Sequence, residues 1–149
     1  MNAVAAIVAG IVGTIVMTLV MVMAPKMGMP KMDIVGMLGS MFGAPPNRAL
    51  GMAMHFMMGI VFALIYAAFW AYGIGAATWP IGLLFGAVHW LIAGAMMAGM
   101  PMMHKGIQSG KVPAPGAYMT HNGGMKAFMG GLVGHMVFGF VVALVYAAF

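Results

Sequence analysis

Cysteine is absent from this 149-residue chain, which excludes disulfides, thiolate metal sites and thiol nucleophiles. Acidic side chains are almost absent as well, Asp33 being the sole one. Paired carboxylates for acid–base work cannot be assembled, and a carboxylate relay for protons or cations through a membrane is missing. Charged residues make up 5% of the chain, where soluble domains carry about 25%. That is too little charge to solvate a globular surface, so a water-soluble protein is excluded. Neither a nucleophile with a base nor a phosphate-cradling loop can be found, and a self-sufficient enzyme is not expected.

Hydrocarbon takes the place of charge. Hydrophobic residues are 64% of the chain, and the mean hydropathy is +1.08. Four apolar stretches, roughly Ala3–Ala24, Leu50–Tyr72, Pro80–Met100 and Lys126–Phe149, each approach the ~20 residues that cross a bilayer core. Helices are the form in which such segments satisfy their backbone groups in lipid. The first stretch has no basic n-region and outruns the about 7–15 apolar residues of a signal peptide, so it is expected to stay as a helix.

The formal charge of +5 points to topology rather than to nucleic acid. All six basic residues (Lys26, Lys31, Arg48, Lys105, Lys111 and Lys126) lie in or beside the loops joining the first to the second and the third to the fourth segment. The positive-inside rule then places loops 25–50 and 101–126 in the cytoplasm and both termini on the opposite side of the membrane. Tyr66, Trp70, Tyr72, Trp79 and Tyr146 collect toward the other ends of the segments and read as an interfacial aromatic belt.

The chain repeats itself. Gly51–Phe69 and Gly131–Phe149 match at 10 of 19 positions with an offset of 80, and both contain Gly-x-x-x-His-x-x-x-Gly. The first segment aligns more weakly with the third at an offset of 76, pairing Gly10 with Gly86, Pro25 with Pro101 and Gly13 with His89. The expected fold is an all-α membrane protein, a single domain over residues 1–149. It consists of two tandem helical hairpins, residues 1–72 and 80–149, in a four-helix bundle with a pseudo-two-fold axis along the membrane normal. In the first basic loop Asp33 is placed to cap a short helix and to pair with Lys31 or Arg48, and that helix is expected to lie in the interface plane. The second loop, His104–Gly124, is rich in glycine and proline and is expected to be irregular.

The run Pro30-Lys31-Met32-Asp33 followed by Met37-Leu38-Gly39, the Gly86-x-x-His89-Trp90 element and the paired Gly-His-x-x-x-Gly helices resemble a family of small prokaryotic four-helix membrane proteins known as a domain of unknown function. The resemblance implies the four-helix fold and supplies no activity or cofactor.

The intramembrane histidines are the candidates for function, because a polar side chain in hydrocarbon is costly. His55 lies between Gly51 and Gly59, and His135 between Gly131 and Gly139, each on one helix face. One reading gives His55 and His135 the two axial positions of a b-type haem, with the four glycines admitting the porphyrin, an arrangement similar in geometry to that of cytochrome b. A second rests on the 22 methionines: thioether and imidazole suit Cu(I), and His55, His135, Met54, Met58, Met103 and His104 are its candidate ligands. A third places a quinone or lipid headgroup against His89 and Trp90. A purely structural reading makes the glycines packing notches and the histidines cross-helix hydrogen-bonding groups. The function expected on balance is a non-catalytic small subunit in the lipid bilayer that packs against a larger redox or metal-dependent membrane complex. Homo-oligomerisation is left open.

Overall fold

A computed structural model describes the backbone of residues 1–149 and every side chain except that of Asn122. In chain order the α-helices are α1 (Ala3–Met23), α2 (Ile34–Gly39), α3 (Arg48–Ala71), α4 (Trp79–Met96), α5 (Met100–Met103), α6 (Lys105–Gln108) and α7 (Gly124–Ala147), with 3-10 turns at Ala24–Met27, Met97–Gly99 and Ala117–Asn122. No strand occurs among the described residues. Four helices are long and apolar enough to cross a membrane: α1, α3, α7 and the run Trp79–Met103 that begins with α4. Caps set their starts. The side chains of Asn2 and Asn47 accept from Ala5 N and Leu50 N, while Pro80 occupies the first turn of α4, where its missing N–H costs nothing.

The helices are built inside out relative to a soluble bundle. On α1 the exposed face is Ile7, Ile11, Ile15 and Leu19, and the buried one is Ala5, Ala6, Ala9, Gly10 and Gly13. On α4 the buried line is Gly82, Gly86, Trp90 and Gly94. Large side chains gain nothing by leaving lipid for a protein interior, whereas small ones let backbones approach, so small residues mark the seams.

Three seams are closed in this way. Between α1 and α3, a Cβ on Gly10 would stand 2.8 Å from the Gly59 carbonyl oxygen, and one on Gly59 would run into Thr14 Oγ1. Between α4 and α7, Gly82 faces the Gly139 carbonyl and Gly86 that of His135. Between α1 and α7, a Cβ on Gly13 would come within 2.9 Å of Val142 Cγ2. The helices therefore run in the spatial order α3, α1, α7, α4.

The remaining seam departs from two-fold symmetry. The backbones of α3 and α4 stay apart, and the side chains of Phe62, Tyr66, Phe85 and His89 fill the gap. Its counterpart by the repeat is the α1/α7 seam, closed at Gly13. His89 occupies the matching place in α4, and its ring stacks on Phe62 with centroids 3.6 Å apart. A glycine closes one seam, and an imidazole props the other open.

The loops are more ordered than expected. Asp33 does cap α2, accepting from Gly36 N at 2.9 Å, and Arg48 grips both of its carboxylate oxygens at 2.9 and 3.1 Å. The short helix α2 lies against α3, with Gly39 on the Asn47 carbonyl and Gly51 on that of Val35. The second loop is held by His104, and part of it, Tyr118 and Met119, folds back onto Trp90 beside α7.

Candidate functional site

Near the end of the bundle that carries the basic loops, the parted α3/α4 seam leaves a partly open cavity. Its volume is about 80 Å³, room for several waters or one small ligand. Its walls come from all four long helices, from Met32 and the first residue of α2, Ile34, and from Met119 of the folded-back loop. His55, His89 and His135 all line it.

Each imidazole keeps a nitrogen free. His135 Nδ1–H donates to the Gly131 carbonyl at 2.8 Å, one turn back on its own helix, which leaves Nε2 with its lone pair. His89 Nδ1 bonds the Tyr66 hydroxyl at 3.2 Å and likewise leaves Nε2. His55 makes no hydrogen bond to any described residue. None of these free nitrogens is sealed off, since the fully buried unpartnered polar atoms among the described residues are Nε1 of Trp70 and of Trp90. The His89 and His135 rings meet edge to face, 4.7 Å between centroids, and Trp90 flanks His135 at 4.9 Å. No three His, Cys, Asp or Glu side chains among the described residues are grouped closely enough to form a metal site by themselves.

The remaining walls are apolar and rich in sulfur. Six of the nineteen lining residues are methionine: Met17, Met21, Met32, Met58, Met97 and Met119. Methionine is 22 of 149 residues in the chain, so the cavity holds about twice its share, more than a uniform gap-filler would place there.

The structure sorts the residues singled out from the sequence. His55, His135 and Met58 come together, and His89 joins them. Met54 and Met103 do not line the cavity. His104 is a correction: it is wholly buried between the two basic loops, and both of its nitrogens are engaged. Nε2–H donates to the Met37 carbonyl at 2.8 Å, and Nδ1 accepts from Ile107 N at 3.1 Å. No lone pair is left for a metal. Tyr66 is a second correction, since it is 4% exposed and belongs to the bundle interior rather than to an interfacial belt.

The glycine frame does not fit a haem. Gly51 is filled by the Val35 carbonyl, Gly59 by Thr14, Gly131 by the Trp90 ring and Gly139 by the Gly82 carbonyl. These notches seat neighbouring helices and Trp90, and a cavity of this size has no slot for a macrocycle between His55 and His135.

Met119, Met32 and Met97 escaped the sequence reading because they reach the cavity from loops and a helix end. One signal was present in hindsight: Met32 sits beside the capping Asp33, which fixes where that loop turns back.

An apolar bundle of four spanning helices, opened on one side around three imidazoles, is an integral membrane protein with an intramembrane polar site. The chain belongs to a family of unknown function, DUF6789, whose model matches residues 1–149. No curated protein and no solved structure matches it.

Proposed function

We propose that this protein is a small, non-catalytic membrane subunit that holds a ligand in its three-histidine cavity and works within a larger redox or metal-dependent membrane assembly. The observation that carries the reading is the convergence of His55, His89 and His135, from three different helices, on one cavity in which each retains a free nitrogen. Imidazoles serving packing alone would be satisfied by neighbouring carbonyls, as His104 is, because an unmade hydrogen bond in an apolar interior is costly. The subunit role is supported by the small size of the segments outside the bundle. In this reading the two basic loops face the cytoplasm.

The test uses protein extracted from its own membranes in lipid particles, analysed for metals and bound small molecules. A Cβ on Gly134 would meet only Met17, at 3.7 Å, so Gly134→Leu is expected to fill the cavity while keeping the fold. The wild type should carry a ligand that Gly134→Leu loses and Leu84→Ala, on the lipid face, retains. Equal contents in wild type and Gly134→Leu would overturn the ligand reading. Recovery of the chain solely as a lone monomer would overturn the subunit reading.

A further inference from the structure

We infer that the ligand of this cavity is a Cu(I) ion, held by Nε2 of His89 and His135 and by thioether sulfur from the surrounding methionines, Met17 and Met119 foremost. The inference rests on the cavity reading above and names its ligand.

The donor set carries the argument. Imidazole nitrogen and thioether sulfur dominate the donor atoms, the Thr14 hydroxyl being spent on the Gly10 carbonyl at 2.7 Å, with no carboxylate in the walls and no cysteine in the chain. Thioethers select soft Cu(I), whereas Mg²⁺, Ca²⁺ and Mn²⁺ need oxygen ligands. All these donors are neutral and the cavity lies in a low-dielectric region, which favours a monovalent ion over a divalent one lacking counter-charge. The set also explains why the histidines alone form no metal group, because sulfur completes the shell.

Geometry agrees. With an imidazole–metal bond of about 2.0 Å, one ion reaches two rings whose centroids lie up to about 6 Å apart; His89 and His135 stand at 4.7 Å. The bond from His135 Nδ1–H to the Gly131 carbonyl is the outer support that ligating histidines use to fix ring and tautomer. In the tautomer with the proton on Nδ1, His89 donates to the Tyr66 hydroxyl and gains the same support. Met17 lies alongside Gly134, next in sequence to His135.

Met119 supplies an independent observation. It and Tyr118 are the two non-glycine residues with positive φ among the described residues, at +58° and +54°. Such a conformation is strained for a residue with a side chain and persists where the surroundings impose it, commonly at functional sites. Here it turns a loop inward so that a 3% exposed Met119 joins the cavity wall. Met21, Met32 and Met97 continue the sulfur lining of the same cavity.

The test is anaerobic Cu(I) titration of the full chain in detergent against a colorimetric Cu(I) chelator, with X-ray absorption at the copper edge. One Cu(I) per chain in a mixed nitrogen and sulfur shell is expected. His89→Ala and His135→Ala should each weaken binding at least tenfold. Met119→Leu, of similar volume, should weaken it severalfold and reduce the sulfur signal at unchanged thermal stability, whereas Met102→Leu, 84% exposed, should change nothing. Failure of the wild type to retain Cu(I), a shell of nitrogen alone, or unchanged affinity in His135→Ala would each overturn the assignment. If the wild type takes no Cu(I) but Gly134→Leu still loses a bound organic molecule, copper is refuted and the cavity reading stands. If Cu(I) binds equally well to Gly134→Leu, both fall.

Discussion

Gly13 of α1 and His89 of α4 hold matching places in the two hairpins and set their seams in opposite ways. Gly13 admits α7 so closely that a methyl group there would lie 2.9 Å from Val142 Cγ2, whereas His89 keeps α3 away with its ring 3.6 Å from that of Phe62. The cavity lies where the imidazole stands.

The closed seams should be intolerant of side chains. Gly82→Val and Gly86→Val place a Cβ against the carbonyls of Gly139 and His135, and overpacking of this kind typically costs about 1–3 kcal/mol. Because the obstacle is backbone, the upper part of that range is expected. Thermal unfolding in detergent measures it, with Gly99→Ala, whose added methyl would meet nothing within 4 Å, as the silent control. Melting temperatures equal to wild type would refute the backbone-contact account.

Acid should loosen α2 first. The Arg48 guanidinium bonded to Asp33, helped by the bond from Gly36 N, holds the Asp33 carboxyl below its ordinary value of 3.8. A depressed carboxyl stabilises the fold above its unfolded value, and that contribution disappears as pH falls through the lower folded one. Hydrogen exchange at Ile34–Gly39 should therefore stay slow down to about pH 4 and quicken below it. The pair is solvent-exposed and the effect is local. Asp33→Asn keeps a capping oxygen and should lose the pH dependence, while Asp33→Ala should quicken exchange at every pH.

His104 should prove structural. Its removal deletes the two side-chain bonds that tie the basic loops together, to the Met37 carbonyl and from Ile107 N–H, at about 0.5–1.5 kcal/mol each. His104→Ala should lower the melting temperature and increase protease cleavage at Lys105 and Lys111, with the ligand content of the cavity unchanged. Loss of ligand at full stability would restore His104 as a binding residue.

Tyr66 is expected to position His89 rather than to touch the ligand. Tyr66→Phe deletes the bond to His89 Nδ1 and keeps the ring contacts with Phe85 and Phe138. Stability should fall by about 1 kcal/mol, and Cu(I) affinity by about tenfold, the low end for losing a support of a ligating histidine. Unchanged affinity would show that His89 needs no such support.

Much of the architecture was legible in the residues. The four spans and the Asp33 cap follow from hydropathy and local chemistry. The predicted third span ended at Met100, where α4 itself ends at Met96 and continues through a 3-10 turn and α5 to Met103. The site was half legible: His55, His135 and Met58 stand out in the sequence and do converge, while the glycines around them fit a ligand or a helix contact equally well on paper and serve packing contacts in the fold. A glycine in a membrane helix announces a close approach without saying by what. His104 misled for a similar reason, since histidine beside methionine looks the same in sequence whether its nitrogens are free or engaged.

By itself the sequence determined that this chain lives in a membrane as four helices, because charge too sparse to solvate a surface and apolar runs of spanning length leave no other stable state. It also determined which faces would meet, since glycine and alanine mark contact where lipid offers larger side chains no reason to hide. Only the tertiary structure decided that α3 and α4 stand apart, that three imidazoles share the resulting space, and that Met119 reaches it from a distant loop. Those outcomes depend on how side chains from separate helices compete for one volume, and no periodicity along a single helix encodes that competition.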